Sequence, residues 1–159
     1  MTLSPQMENR ITKIDKLQAK GFAVKTKLNG FIPVLIDKEG KAVSYYGENE
    51  DFPGFSWIAF LFGPFVAVQI RDWNYFWYLG ICEFISHSSN LIPFFAQKQS
   101  FFSLIFGIVI AMGYAYIFPY QRWFFNKSNK KEILRIKSIF IGVLLCFVAV
   151  SPSTVLFGN

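Results

Sequence analysis

The sequence has little charge, and that charge is unevenly placed. Only 16% of the 159 residues are Asp, Glu, Lys or Arg, whereas 53% are hydrophobic and 19% aromatic; soluble domains carry about 25% charged residues. Four charged residues lie between positions 55 and 121, and none follows Lys137. This distribution excludes an ordinary soluble domain of the same length and indicates a water-soluble head before a lipid-soluble body.

Residues that build catalytic and metal sites are also scarce. His87 is the only histidine, and the two cysteines, Cys82 and Cys146, lie inside apolar segments. This leaves no Ser-His-Asp or Cys-His pair away from the apolar segments, no disulfide framework and no metal-ligand spacing. We therefore expect no enzymatic activity, no metal and no cofactor. Residues 1–10 lack the apolar core of a cleavable signal peptide, so we expect the first hydrophobic segment to act as the targeting signal.

A block of basic residues supplies most of the net charge of +6. Between positions 122 and 137, Glu132 opposes six cations, namely Arg122, Lys127, Lys130, Lys131, Arg135 and Lys137. Because the block lies directly between two apolar segments, it is typical of a cytoplasmic loop, where basic residues can also contact anionic lipid headgroups. No stacking platform or nucleic-acid motif accompanies it, so we do not expect nucleic acid as a partner.

Residues 1–54 predict a small cytoplasmic α+β domain, consisting of a helix, a β-meander and an acidic linker. Ser4-Pro5 favours a helix start, since the hydroxyl can cap the first turn and proline suits the first helical position. Gly21 is placed to end this helix. One face of the helix carries three apolar residues: Ile11, Ile14 and Leu17.

The meander is predicted from alternation and turn signals. Asn29-Gly30 favours a tight hairpin, and a two-residue turn there pairs Val24 with Leu35 on one face of the sheet. Pro33 cannot donate a ladder hydrogen bond, so the second strand should lie at an edge or pair on one side only. Ala42 to Tyr46 can form a third strand.

The remaining residues, 55–159, contain four apolar segments. Three are long enough to cross a hydrocarbon core of about 30 Å as helices: 75–96, 100–121 and 138–157. Segment 55–70 is shorter, and Gly63-Pro64 favours a kink in it. The predicted fold is an all-α membrane bundle with three transmembrane helices and one kinked interfacial or re-entrant helix, behind the α+β cytoplasmic amino-terminal domain.

Charge also predicts the orientation of the chain. The head and the basic block should both be cytoplasmic, so an even number of crossings must separate them. Segments 75–96 and 100–121 supply two crossings. In the alternative, segment 55–70 also crosses the membrane, and either the head or the basic block then lies outside the cytoplasm. The four indole rings fall on the cytoplasmic side, at the headgroup level that they prefer: Trp57, Trp73, Trp77 and Trp123.

An aromatic run opens the membrane body. Ser56 to Phe65 reads SWIAFLFGPF, with a motif of Trp57, Phe60, Phe62, Gly63, Pro64 and Phe65. Over about residues 55–137 the sequence resembles the domain of unknown function 2628 family, small bacterial inner-membrane proteins. Val66 stands where that family usually has Trp, and the head lacks its frequent Cys-x-x-Cys zinc ribbon. The resemblance implies a multi-pass protein of the bacterial inner membrane, and no mechanism.

A polar stripe interrupts the segment 75–96. It comprises four residues at helical spacing: Glu83, Ser86, His87 and Asn90. Glu83 falls near the middle of the membrane, where an ionised carboxylate is costly, so it should face the bundle and be protonated or paired. The stripe is either a proton- or ion-sensitive site or a set of hydrogen bonds between helices or subunits. Two ligand-type residues are too few for a metal.

The small head, the short aromatic helix and the isolated polar stripe together suggest a function. They predict a non-enzymatic accessory or structural subunit of a larger bacterial inner-membrane complex, whose partners are the lipid bilayer and other membrane protein subunits. The alternative is a small homo-oligomeric transporter or channel that uses Glu83 and His87.

Overall fold

The computed structural model describes residues 4–27, 32–43, 52–88, 99–128 and 130–157. In these ranges the chain forms five helices and three strands, in the order α1 (Pro5–Ala19), β1 (Ala23–Lys27), β2 (Ile32–Ile36), β3 (Ala42–Val43), α2 (Trp57–Gln69), α3 (Asn74–Ser88), α4 (Gln99–Lys127) and α5 (Arg135–Phe157). The chain divides into two compact units. The first unit contains Met1–Trp57 and Ala115–Glu132, and the second contains Ile58–Tyr114 and Ile133–Asn159.

Helix α1 begins and ends where the sequence predicts. The Ser4 hydroxyl accepts a hydrogen bond from the Met7 amide at 3.3 Å, and proline occupies the first turn. At the other end Gly21 adopts a φ of 92°, which an L side chain rarely tolerates. Its amide donates to the Gln18 carbonyl at 2.9 Å, which closes the last turn. Both predicted boundaries are confirmed.

The sheet of the first unit has the strand order β1-β2-β3, with antiparallel pairs throughout. Val24 pairs with Leu35, so the predicted register is confirmed. Strand β2 lies in the middle, so the prediction of an edge strand is wrong. Pro33 is nevertheless paired only with β1, because β3 pairs with β2 only at Leu35 and Ile36. The Asn29-Gly30 turn and residues 44–46 of the predicted third strand lie outside the described residues.

Part of α4 completes the core of the first unit. The core cluster comprises Ile14, Leu17, Val24, Leu35, Phe52, Tyr120 and Trp123, of which the last two belong to α4. Trp123 is only 4% exposed, and its indole N–H donates to Asp15 at 2.8 Å. Trp123 thus packs inside the first unit, and its level relative to a membrane remains a prediction. A head of about 45 residues is near the lower limit for independent folding, so the added aromatic surface is needed.

Helix α2 is short and kinked. Its backbone leaves helical geometry at Phe62, with φ −125° and ψ 29°, two residues before Pro64. The proline ring and its missing N–H account for the break, so the predicted kink is confirmed. The helix has 13 residues, which gives about 20 Å at 1.5 Å per residue and is less than a hydrocarbon core of about 30 Å.

In the second unit, α3 runs antiparallel to the first part of α4 and parallel to α5. The rings of Tyr75 and Tyr114 lie 4.7 Å apart, and the hydroxyls of Ser86 and Ser103 lie 2.9 Å apart, which orders α3 and α4 in opposite directions. The Ile133 amide donates to the Gln69 carbonyl at 3.1 Å, just before α5 and α3 begin. Farther along both helices, Gly80 of α3 lies against Ala149 of α5, since a Cβ on Gly80 would lie 3.2 Å from the Ala149 carbonyl oxygen. The two contacts follow in the same order along both helices, so α3 and α5 run in parallel.

Two helices are long and apolar enough to cross a membrane, over Ser103–Lys127 and Arg135–Pro152. Helix α3 has 15 described residues, and the rest of the segment 75–96 lies outside the description. The structure thus has two candidate spans, whereas the third crossing and the placement of 55–70 remain predictions.

Candidate functional site

The polar stripe of α3 forms a cluster with α4. His87 Nδ1 lies 3.0 Å from the Glu83 carbonyl oxygen and 3.7 Å from Glu83 Oε2, and the two side chains are only 12% and 17% exposed. Ser86, one turn after Glu83, is fully buried, and its hydroxyl forms a hydrogen bond of 2.9 Å with the Ser103 hydroxyl. Three of the four predicted stripe residues therefore lie together. The fourth, Asn90, lies outside the described residues.

Ser103 is the member of this cluster that the sequence prediction missed. It is the only hydroxyl residue between positions 101 and 113 of α4, and a polar residue in an apolar helix is itself a signal of a partner. No local pattern, however, indicates that its partner is Ser86. That pairing depends on the antiparallel register of α3 and α4.

The geometry of the cluster limits its chemistry. The distance of 3.7 Å between His87 Nδ1 and Glu83 Oε2 is too long for a hydrogen bond and suits an ion pair when the imidazole is protonated. The cluster can therefore pair a carboxylate with a protonated imidazole, or link α3 to α4. Among the described residues, no three His, Cys, Asp or Glu side chains lie close enough together to hold a metal ion.

Asp72 and Tyr114 form a second polar pair that the sequence prediction did not identify. The Tyr114 hydroxyl donates to Asp72 Oδ2 at 3.1 Å, and Asp72 is only 8% exposed. Burial raises the pKa of Asp72 from 3.8 to about 6, although the hydrogen bonds from Tyr114 and the Asn74 amide oppose the shift. With a pKa of about 6, the Asp72 carboxyl changes its protonation state within the range of pH that cells experience.

The basic block is divided between two environments. Arg122 is buried and forms an ion pair with Glu132. Lys127 Nζ donates a hydrogen bond of 3.0 Å to Gln18 Oε1 and lies 4.0 Å from the centre of the Trp123 ring. Both cations lie on α4, which continues to Lys127, and not in a loop. Their predicted contact with anionic lipid and their cytoplasmic position remain predictions. The other four cations of the block are exposed: Lys130, Lys131, Arg135 and Lys137.

An apolar groove of about 600 Å³ lies between α3 and α5. One side is lined by Trp73, which directly precedes α3, and by residues of α3 that include Trp77 and Ile81. The other side is lined by α5 with Leu145, Val148 and Pro152. At its base, Gly80 allows the two helices to approach closely, since a side chain there would meet the Ala149 carbonyl oxygen. Sequence reasoning did not predict this groove because it depends on the pairing of two distant helices.

No known family, curated protein or solved structure matches this chain. The resemblance to the domain of unknown function 2628 family over about residues 55–137 therefore rests on sequence motifs such as the Ser56 to Phe65 run, and it remains a prediction.

Proposed function

We propose that this protein is a multi-pass protein of the bacterial inner membrane that acts as a non-enzymatic accessory or structural subunit of a larger complex. The observation that carries the proposal is the apolar surface of α5. Its Arg135–Pro152 segment is strongly hydrophobic, yet only 11% of it is buried. Such a surface needs lipid or another membrane protein to cover it.

The polar cluster supports a role in adhesion between helices. The hydroxyl pair formed by Ser86 and Ser103 links α3 to α4. The imidazole of His87 bonds back to the Glu83 carbonyl of its own helix. A hydrogen bond between helices, such as that of Ser86 with Ser103, stabilises a membrane helix pair by about 0.6–2 kcal/mol. Groups that bond to each other suit a structural role better than a route for substrate.

The transporter or channel function remains the second candidate. One distance favours it, namely the 3.7 Å between His87 Nδ1 and Glu83 Oε2. Ionisable residues within membrane helices often belong to proton or ion pathways, and a carboxylate beside an imidazole is a pair of this kind.

The proposed topology has three crossings and a cytoplasmic amino terminus. The basic residues Arg135 and Lys137 at the start of α5 support a cytoplasmic position for that end. The length and kink of α2 support its placement along the membrane interface.

Two substitutions at one position separate the candidates. Glu83→Gln keeps the shape and most of the hydrogen-bonding capacity, whereas Glu83→Leu leaves polar neighbours unpaired at a cost of about 1–3 kcal/mol. For a structural subunit, Gln should preserve assembly and growth, and Leu should weaken both. The measurement is co-purification of partner proteins in mild detergent, beside growth of cells that depend on the protein. Ile85→Leu, at an exposed neighbouring position, is the matched control.

A transporter predicts a different pair of results. If Glu83 carries protons, Gln and Leu should abolish growth equally while assembly stays intact, because neither side chain ionises. That result would overturn the subunit proposal. A purified homo-oligomer without co-purifying proteins would contradict it independently.

A further inference from the structure

We propose that the groove between α3 and α5 binds an anionic phospholipid, with an acyl chain in the groove and the headgroup phosphate between Arg71 and Lys137. The proposal rests on the membrane placement of these helices and does not depend on the subunit role. It identifies a specific lipid site rather than the general affinity of a basic loop for a charged membrane.

The length of the groove suits an acyl chain. From Trp73 to Phe84 the lining covers 11 residue steps, or about 16 Å at 1.5 Å per residue. This length matches one leaflet of a hydrocarbon core of about 30 Å.

The lining is suited to a hydrocarbon occupant. Val148 is 58% exposed, and Trp77 and Ile81 are also exposed, so the described residues do not cover these side chains. The two indole-bearing residues, Trp73 and Trp77, lie at the end where both helices begin. Indole rings favour the headgroup level, so this end of the groove suits the junction between acyl chain and headgroup.

Two cations stand at that same end. Arg71 precedes Trp73 by two residues, and Lys137 begins a row at helical spacing that continues through Ile141 to Leu145 in the groove. Because α3 and α5 run in parallel, both cations belong to the end at which the helices start. The two acidic residues of the second unit compete little with a phosphate for these cations, because Asp72 is buried against Tyr114 and Glu83 lies beside His87.

The backbone of Arg71 is an independent observation. Its φ is 56°, in the left-handed region that favours glycine. The Arg71 amide donates to the Val68 carbonyl at 3.0 Å, and the Asp72 amide donates to the Ala67 carbonyl at 2.9 Å, as at helix ends that normally use glycine. Glycine would avoid the strain but would provide no charge. Arginine at this turn therefore keeps an exposed charge just before α3 at the cost of backbone strain.

The test uses the full chain, purified in detergent and freed of lipid, in native mass spectrometry. The probes are phosphatidylglycerol and phosphatidylcholine with identical acyl chains. One phosphatidylglycerol should bind per chain, at concentrations at which phosphatidylcholine does not. Arg71→Gln and Lys137→Gln should each weaken phosphatidylglycerol binding about fivefold and leave phosphatidylcholine binding unchanged. Lys25→Gln removes an exposed charge in the first unit and should have no effect.

A second pair of variants tests the groove itself. Val148→Trp places a large ring in the groove and should abolish binding of the single lipid. Leu144→Trp adds the same ring on α5 at a position that is 62% exposed and outside the groove lining, so it should bind lipid as the parent does. Matching circular dichroism spectra for the two variants would establish that both are folded.

Three results would overturn the inference. They are equal binding of the two lipids by the parent protein, equal binding by Val148→Trp and Leu144→Trp, or displacement by Val148→Trp of a protein partner instead of a lipid. If no other subunit co-purifies with the parent protein but it still binds one phosphatidylglycerol, the result would count against the proposed function alone. Recovery of the chain in the soluble fraction would contradict the membrane placement on which both proposals rest.

Discussion

Replacing Asp72 by asparagine should stabilise the protein above pH 6 and leave its stability unchanged in acid. Asp72 is buried, and the Tyr114 hydroxyl donates to it at 3.1 Å. Asparagine has nearly the same shape, and its carbonyl oxygen can accept the same hydrogen bond. The substitution therefore removes the ionisable proton while preserving the contact that holds the α2–α3 turn against Tyr114.

The size of the effect follows from the pKa of Asp72, which burial raises from 3.8 to about 6. This difference corresponds to about 3 kcal/mol at full ionisation. Between pH 3.8 and 6 the folded state binds more protons than the unfolded state, so the stability of the parent protein falls as pH rises through this window. Asparagine cannot ionise and avoids this loss.

The assay is thermal unfolding in detergent, followed by circular dichroism between pH 3.5 and 8. The midpoints of the parent and Asp72→Asn should coincide at the acid end, separate between pH 4 and 6, and stay several degrees apart at pH 8. Glu39→Gln, which removes an exposed carboxylate, should follow the parent throughout. A constant separation at every pH would refute the argument, because it would show that shape or packing rather than ionisation causes the change.

Two further predictions concern the topology and the packing of the helices. Cysteines introduced at Lys13 and Ser128 should be shielded from a membrane-impermeant thiol reagent in intact spheroplasts, whereas a cysteine at Gln99 should react. Reaction at Lys13 with protection at Gln99 would overturn the proposed topology. Gly142→Ala should destabilise the protein by about 1–3 kcal/mol, because its Cβ would lie 2.8 Å from a phenylalanine ring. Gly107→Ala, which meets no described neighbour within 4 Å, should be neutral or slightly stabilising in the same thermal assay.

Elements governed by local chemistry could be predicted from the sequence. The Ser4 cap, the Gly21 terminus and the kink before Pro64 each depend on residues within one helical turn, and the structure has all three. The pairing of Val24 with Leu35 follows from alternation and a short connection. In each case the deciding interactions lie close together in the chain.

Features that depend on distant residues could not be predicted in this way. Tyr120 ends an apolar run and Trp123 follows two residues after Gln121, so hydropathy assigns both aromatic residues to the membrane or its interface, although they belong to the core of the head. By sequence Arg122 belongs to the basic block, yet Glu132 neutralises it. Ser103 and Tyr114 are polar members of an apolar segment, and only the register of α3 against α4 shows that Ser86 and Asp72 are their partners.

The contribution of α4 to the head constrains the order in which the chain can mature. A ribosome completes residues 1–57 well before it reaches Tyr120 and Trp123, and it must synthesise α2 and α3 in the interval. At about 5–20 residues per second, several seconds pass with Ile14, Leu17 and Leu35 lacking their aromatic cover. The nascent head is thus open to chaperones and proteases until α4 emerges. A chain terminated before Ala115 would lack this cover permanently. A correctly closed head therefore reports that α2, α3 and α4 have been made.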